Sequence, residues 1–156
     1  MKNIFFIIAI IASATIYSQE KAELEWHTDL SKAVPVAIEQ NKPLLLFFTG
    51  SDWCGWCIRL KREVFAFEKF KTWTDANVVL VELDFPRRKQ LPANIQKQNR
   101  ELAGIFAVRG YPTVWLVTPQ VLEDNKINFL KHGSLGYVAG GPDKWIATAE
   151  KFLTNK

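Results

Sequence analysis

The sequence predicts an α/β sandwich built as a single domain. Three apolar runs, at 44–48, 78–81 and 114–117, carry no polar alternation, and such runs are typical of strands that are buried on both faces. The segments between them repeat apolar residues at helical spacing. The chain has 156 residues with 48% hydrophobic content, which supplies one core and is too little for two.

The first helix is predicted at 31–40, where Thr28 or Asp29 can cap its start. Asn41-Lys42-Pro43 closes it, and Pro35 inside the span disfavours an unbroken helix. After the first strand, a second helical pattern extends toward residue 77. Its inward residues are predicted to be Cys57, Leu60, Val64, Phe67, Phe70 and Trp73.

Two more helices and a hairpin complete the predicted order. One helix covers 94–106, and the last begins at Pro142 after Gly140-Gly141, because proline suits the first helical position. The last helix carries an apolar stripe of Trp145, Ile146, Ala149, Phe152 and Leu153. The stretch 122–131, bracketed by Asp124-Asn125 and Gly133, is predicted to be an edge hairpin.

Residues 1–18 are predicted to be a secretory signal peptide. Lys2 gives a positive start, Ile4 to Ile11 an apolar centre, and Ala12 to Ser18 a small and polar exit. The apolar stretch is shorter than the ~18 residues that span a bilayer. We therefore expect cleavage near Ser18, which leaves residues 19–156 as an exported domain without stable membrane insertion. The expected location is the periplasm, or an association with the envelope.

Charge and metal-ligating residues narrow the classes of partner. The 20 basic and 16 acidic residues give a balance too mild to indicate nucleic acid or a membrane surface. Zinc needs about four ligands, whereas His27 and His132 are single and distant from the two cysteines. We expect no nucleic-acid partner, no metal and no bound cofactor.

Cys54 and Cys57 are the only cysteines of the chain, and they follow the first predicted strand. A strand-to-helix junction places Cys54 at a helix N-terminus, where unpaired N–H groups favour an anion such as a thiolate. In Cys-X-X-Cys settings the thiol pKa falls from near 8.5 to roughly 3.5–7.5. Cys57 lies on the same helical face. We therefore predict Cys54 as the nucleophile and Cys57 as the thiol that resolves a mixed disulfide.

A structural disulfide is the alternative interpretation of this pair. Closing so short a loop restrains the unfolded chain little, which favours a redox function.

A second motif, Arg109-Gly110-Tyr111-Pro112-Thr113, comes directly before the strand at 114–117. Pro112 cannot donate a hydrogen bond to a ladder, so it belongs at the start of that strand. Only ~5–6% of X-Pro bonds are cis, so local statistics favour a trans bond. A cis bond would expose the backbone of Tyr111 beside the dithiol, where a substrate peptide could pair as an added strand.

Trp53-Cys54-Gly55-Trp56-Cys57 and Val108-Arg109-Gly110-Tyr111-Pro112-Thr113 together resemble the two signature segments of the thioredoxin family. The similarity spans Trp26 to Leu153. It is closest to exported bacterial thioredoxin-like proteins, which are similar to the C-terminal domain of the thiol:disulfide interchange protein. The resemblance implies a thioredoxin-like fold with a central mixed four- to five-stranded sheet flanked by helices. It also implies that Cys54 attacks, Cys57 resolves and Pro112 is the cis proline.

The function expected from the motifs and the resemblance is that of a thiol–disulfide oxidoreductase, acting as a reductase or interchange protein. Its expected partners are thiols or disulfides of exported proteins and an upstream electron donor or acceptor protein. Trp53, Trp56, Tyr111 and Pro112 are the expected substrate contacts. The alternative is a non-catalytic, thioredoxin-like module that binds a peptide or protein and keeps a structural disulfide.

The chain departs from ordinary thioredoxins in three places. Trp56 stands where they have proline, and Phe48 and Leu80 are expected where they have a buried aspartate and its lysine partner. Water or a surface acid such as Asp52 is therefore expected to take the proton of Cys57. The basic segment 86–89 is either a solvated loop or a docking surface for an acidic partner.

Overall fold

A five-stranded mixed sheet forms the centre of the computed structural model, which describes residues 23–123 and 126–154. The predicted signal peptide and Asp124-Asn125 lie outside these residues. Within them, no helix is long and apolar enough to cross a membrane. In chain order the elements are β1 (Trp26–His27), α1 (Leu30–Glu39), β2 (Leu44–Thr49), α2 (Gly55–Leu60), a π-helical turn (Lys61–Phe65), α3 (Glu68–Asn77), β3 (Val79–Asp84), α4 (Ala93–Ile105), β4 (Thr113–Val121), β5 (Ile127–Leu135) and α5 (Gly141–Thr154).

The strand order is β1-β3-β2-β4-β5. β1, β3 and β2 run parallel, whereas β4 and β5 are antiparallel to their neighbours. This topology confirms the predicted mixed sheet. β4 and β5 form an antiparallel hairpin as predicted, but its strands are Thr113–Val121 and Ile127–Leu135 rather than a hairpin within 122–131. At one end of the strands, Thr49 pairs with Asp84 and Phe48 pairs with Thr113. The ends of β2 and β3 and the start of β4 therefore meet, and this end of the sheet carries both sequence motifs.

The apolar strands are continuous because both faces of the sheet are covered. Leu45 and Phe47 of β2 face a core formed with α2, α3 and α5. Leu44, Leu46 and Phe48 face a second core formed with α1 and α4. Side chains of a strand alternate between faces, so a strand between two helical layers has no solvent-facing row.

The start of α1 is capped as the sequence predicts. The Asp29 side chain accepts a hydrogen bond from the Ser31 N–H at 2.9 Å. Hydrogen bonds from Ser31 hold the pKa of Asp29 below its ordinary value. Pro35 is exposed, and the helix continues through it, so the expected interruption does not occur.

A π-helical turn interrupts the predicted face between Cys57 and Trp73. The Ala66 N–H donates to the Lys61 carbonyl at 2.9 Å, an i→i+5 bond that adds one residue to the turn. Phe65 is consequently buried and Phe67 is 48% exposed at the start of α3. The prediction of Phe67 as an inward residue was therefore wrong, since 3.6-residue periodicity does not continue across a π turn.

The two-residue strand β1 was not predicted. Trp26 and His27 pair with Leu80 and Val81 of β3. A pair of residues is too short to show a strand periodicity, so only the sheet contact defines it.

Candidate active site

The two cysteines lie where β2 passes into α2, as the sequence predicts, and they form a disulfide. Their sulfurs are 2.06 Å apart and their Cα atoms 5.2 Å apart. Cys54 caps α2, and its Sγ accepts a hydrogen bond from the Cys57 N–H at 3.2 Å. Cys54 is 5% exposed and Cys57 is 1% exposed. Cys54, the predicted nucleophile, is thus the more accessible of the two cysteines, although little of its surface is exposed.

Hydrogen bonds fix the loop between β2 and Cys54. The Cys54 N–H donates to the Gly50 carbonyl at 2.8 Å, and Trp53 Nε1 donates to the Phe85 carbonyl at 2.8 Å. A Cβ atom at Gly50 would lie 2.4 Å from the Trp53 ring. Glycine is therefore required here by close approach, and Trp53 packs against the loop rather than projecting freely from it.

Asp84, a buried acid at the end of β3, anchors the same loop. Its carboxylate accepts hydrogen bonds from the backbone and hydroxyl of Ser51 at 2.8 and 2.6 Å, and Lys89 Nζ lies 2.9 Å away. Burial raises the pKa of Asp84, but the bonds from Ser51 and Lys89 outweigh it and hold the pKa below its ordinary value. Nothing in the sequence pattern pointed to this contact, because Ser51 and Asp84 meet only through sheet pairing.

Asp52 joins the active-site loop to the basic segment. Its carboxylate accepts the backbone N–H groups of Arg87, at 3.0 and 3.2 Å, and of Arg88, at 2.7 Å. The Arg87 N–H is the main cause that lowers the pKa of Asp52. A carboxylate held in its ionised form is a weak base, which argues against Asp52 as the proton acceptor for Cys57.

The Tyr111–Pro112 peptide bond is cis, as the family resemblance implies. Pro112 directly precedes β4, at the same end of the sheet as the dithiol. The Tyr111 ring contacts Trp53 edge-on, with centroids 5.6 Å apart, and lies 5.3 Å from the ring of Phe85. Two of the four predicted substrate contacts, Trp53 and Tyr111, thus pack against the core cluster that contains Cys54, and Pro112 follows Tyr111 directly.

The fourth predicted contact, Trp56, lies on a separate exposed patch. Trp56 is 55% exposed, and its ring centroid is 5.2 Å from that of Tyr137. The Arg59 guanidinium lies over both rings at 5.3 and 5.2 Å and pairs with Glu63 at 2.9 Å. Tyr137 completes the patch by donating its hydroxyl to Glu63. Helical i,i+4 spacing could have predicted the Arg59–Glu63 pair, but nothing in the sequence indicated Tyr137.

The hydrogen bond from Tyr137 is the main cause that lowers the pKa of Glu63 to about 2. Tyr137→Phe is therefore expected to raise the pKa of Glu63 toward the ordinary glutamate value of about 4.3. Because the folded-state pKa is depressed, the contribution of Glu63 to stability is present above about pH 4 and is lost as the pH falls toward 2. Side-chain carboxyl carbon NMR against pH measures the shift.

Tyr111→Phe is the control, since the Tyr111 hydroxyl has no contact with Glu63, and it is expected to leave the Glu63 titration unchanged. A Glu63 pKa that stays near 2 in Tyr137→Phe would contradict the assigned cause.

Phe48 and Leu80, the expected replacements of the buried acid and lysine of thioredoxins, lie on opposite faces of the sheet. Leu80 shares the cysteine-bearing core, but the β2 residue on that face is Phe47. The expectation that Phe48 and Leu80 replace a facing pair was therefore wrong. Lys61 and Glu82 form an ion pair at 2.5 Å, with Lys61 Nζ 5.6 Å from the Phe47 ring centroid.

The histidines lie apart in the fold, His27 in β1 and His132 in β5 at the two edges of the sheet. Among residues 23–123 and 126–154, no group of three or more histidine, cysteine or acidic residues is arranged to hold a metal ion.

Comparison with known proteins assigns the family. The thioredoxin-like family model matches residues 25–119. The chain belongs to the thioredoxin-like family. The disulfide bond reductase DsbH of Chlamydia pneumoniae is 30% identical to it over 118 residues, which are 76% of this chain and 70% of that protein. The solved structure of a DsbH oxidoreductase covers 87% of the chain, with 88% of its own length matched, a TM-score of 0.74 and 27% identity.

The chain spans less than half the length of a second relative. The thioredoxin-related protein DsbJ of Chlamydia pneumoniae is 27% identical over 146 residues, which are 90% of this chain but 40% of that protein. Together, the thioredoxin-like relatives, the fold and the Cys54–Cys57 disulfide identify the chain as a thiol–disulfide oxidoreductase.

Proposed function

We propose that this thiol–disulfide oxidoreductase acts as a reductase of disulfides in exported polypeptides. The position of Cys54 supports the exchange chemistry, and the relative DsbH supports its direction. Its sulfur caps a helix and receives the Cys57 N–H. A donor aimed at this sulfur stabilises a thiolate when the disulfide is reduced. DsbH, the relative with the greater identity, is itself a disulfide bond reductase.

The proposed cycle begins with the reduced dithiol. The Cys54 thiolate attacks one sulfur of a substrate disulfide, forms a mixed disulfide and releases the other substrate sulfur as a thiolate. Cys57 then loses its proton to solvent and attacks Cys54 Sγ, which releases the second substrate thiolate and forms the Cys54–Cys57 disulfide. The substrate gains two electrons, and its two released thiolates take up their protons from solvent. An upstream dithiol protein returns the oxidised protein to its reduced form.

We assign the substrate contacts to two surfaces beside the disulfide. Trp56 contributes exposed apolar area on one side, and the half-buried Tyr111 with Pro112 contributes on the other. Trp53 supports Tyr111 through their edge-on contact. Aromatic side chains bury large apolar areas at little cost in conformational entropy, which suits a site that accepts different polypeptides.

The proposed location is the periplasm or the envelope surface facing it. It is supported by the residue pattern at 1–18, which has the charge and hydrophobicity order of a secretory signal peptide. Export would place the dithiol among proteins that carry disulfides. The substrates and the electron donor are thus proposed to be exported or membrane-anchored thiol proteins.

The reduction potential of the dithiol tests the proposal against a structural disulfide. Equilibration with glutathione, followed by alkylation and mass measurement, is expected to give a potential between roughly −120 and −270 mV. A reductase lies toward the negative end of this range, and an oxidase near −120 mV. A potential below about −300 mV would indicate a structural disulfide and would support the binding-module alternative.

Trapping of the mixed disulfide tests the two cysteine assignments. Cys57→Ser is expected to accumulate a covalent adduct with a disulfide-bonded peptide, since no second thiol can release it. Reductant-sensitive mass shifts followed by peptide mapping should place the adduct on Cys54. The reverse pattern, with an adduct on Cys57 in the Cys54→Ser variant and none on Cys54, would exchange the two roles.

A further inference from the structure

Each of the two tryptophans that precede the cysteines has an arginine guanidinium over its ring. The Arg87 guanidinium lies 4.0 Å from the ring centroid of Trp53, and that of Arg59 lies 5.3 Å from the ring of Trp56. Arg59 is already engaged by Glu63 at 2.9 Å. Arg87 is exposed and contacts no carboxylate among the described residues. The side of the disulfide next to Trp53 thus presents a positioned cation.

Basic residues outnumber acidic ones in the segments that adjoin the two sequence motifs. Residues 51–63, 84–89 and 109–112 hold seven basic and three acidic residues, whereas the rest of the chain has 13 of each. Lys61, one of the seven, pairs with Glu82 outside these segments. We call the other six the basic rim: Arg59, Arg62, Arg87, Arg88, Lys89 and Arg109.

The three acids beside the rim are committed to internal bonds. Asp52 accepts the N–H groups of Arg87 and Arg88, and Glu63 accepts the Tyr137 hydroxyl. Asp84 is buried and bonded to Ser51 and Lys89. These bonds hold the pKa values of all three carboxyls below their ordinary values. They anchor the loops, and among the described residues the guanidinium groups of Arg87 and Arg88 form no salt bridge. The charge of Arg88 acts on Asp52 only at longer range and helps to lower its pKa.

We propose that Trp53, Arg87 and Arg88 form a docking site for acidic side chains that flank the cysteine of a partner polypeptide. The inference rests on the proposed function and specifies which polypeptides that function favours. Asp52 holds the backbone of both arginines and Gly50 seats the Trp53 ring, so the site is organised before a partner arrives. An arginine held on an aromatic face can bind a carboxylate while keeping its ring contact.

The test uses three short peptides that share one reporter disulfide and differ only in flanking residues, which are glutamate, glutamine or lysine. The reduced Cys57→Ser variant forms the mixed disulfide in a single step, so its second-order rate constant reports encounter without resolution. At low ionic strength the glutamate peptide is expected to react about tenfold faster than the lysine peptide, the lower end of electrostatic steering. Raising the salt from about 0.01 M to about 1 M shortens the Debye length from roughly 30 Å to roughly 3 Å and should remove the preference.

Arg87→Gln with Arg88→Gln, made in the same background, is expected to abolish most of the preference while the glutamine peptide reacts as before. Glutamate at both positions should reverse it, so that the lysine peptide reacts faster. The matched control changes Lys42 and Lys151 to glutamine, which removes two charges at the opposite end of the domain. Lys42 precedes β2, and Lys151 lies in the last turn of α5. This control is expected to retain the preference.

Three outcomes would overturn the docking site: equal rates for the three peptides, an equal loss in the control variant, or binding of anionic vesicles with no peptide preference. The last result would assign the rim to a lipid surface. If the glutamine peptide fails to react with the parent protein, the proposed function fails. If it reacts but charge has no effect, only the docking site fails.

Discussion

Cys54→Ser is expected to lower the rate of catalysed disulfide reduction by at least about 1000-fold, the scale seen when an enzyme nucleophile is removed. A serine hydroxyl is not ionised at neutral pH and cannot form a disulfide with the substrate, so neither step of the cycle remains. The fold should persist, because the disulfide closes a loop between residues only three apart and such a loop restrains the unfolded chain little. Reduction of insulin or a fluorescent peptide disulfide measures the effect.

Cys57→Ser is the matched control for this prediction. It should react once with the substrate through Cys54 and then stop, so the two variants separate attack from resolution. A Cys54→Ser protein that retains activity within about tenfold of the wild type would contradict the assignment of the nucleophile. Equal inactivity of both variants in the single-step reaction would also contradict it.

Trp145→Ala is expected to give the largest loss of stability, about 3–5 kcal/mol in the free energy of unfolding. Trp145 is fully buried and lies 5.6 Å from Phe70, 5.7 Å from Phe65 and 6.2 Å from Trp73, measured between ring centroids. Its Nε1 also donates to the Gly136 carbonyl at 3.0 Å. Alanine would leave a cavity at the centre of this aromatic cluster and remove the donor from a partly buried carbonyl.

Urea unfolding of the oxidised proteins measures this loss, and Trp56→Ala serves as the control. Trp56 is 55% exposed, so its removal is expected to cost less than about 1 kcal/mol. Trp56→Ala should also weaken substrate binding, whereas the buried Trp145 cannot contact a substrate. A Trp145→Ala loss below about 1 kcal/mol would contradict its central place in the core.

The strands and the dithiol were predictable because their determinants are local. Uninterrupted apolar residues mark β2, β3 and the buried part of β4, since each is covered on both faces. The position of Cys54 at the start of α2 follows from a strand, a short loop and a helical pattern in succession. The cis bond before Pro112 is different, because local statistics favour trans and only the family resemblance indicated it.

The errors arose where one residue changes the phase of a pattern. The π-helical turn at Lys61–Phe65 exchanges Phe65 for Phe67 in the core. Phe48 was placed by counting back from Cys54, yet it is Phe47 that faces the cysteines. A shift of one position moves a strand side chain to the opposite face, and counting along a sequence cannot detect the shift.

The sequence by itself determined the alternation of strands and helices, the identity of the two thiols and the order of their predicted roles. Each of these depends on residues within one turn or one strand. Only the tertiary structure decided which contacts surround the thiols. The Ser51 N–H donates to Asp84, the Arg87 N–H donates to Asp52, and the Arg59 guanidinium lies over the Tyr137 ring. These partners are 33 to 78 residues apart in the chain. Contacts between such distant residues form only after the sheet has brought their segments together at one end of the strands.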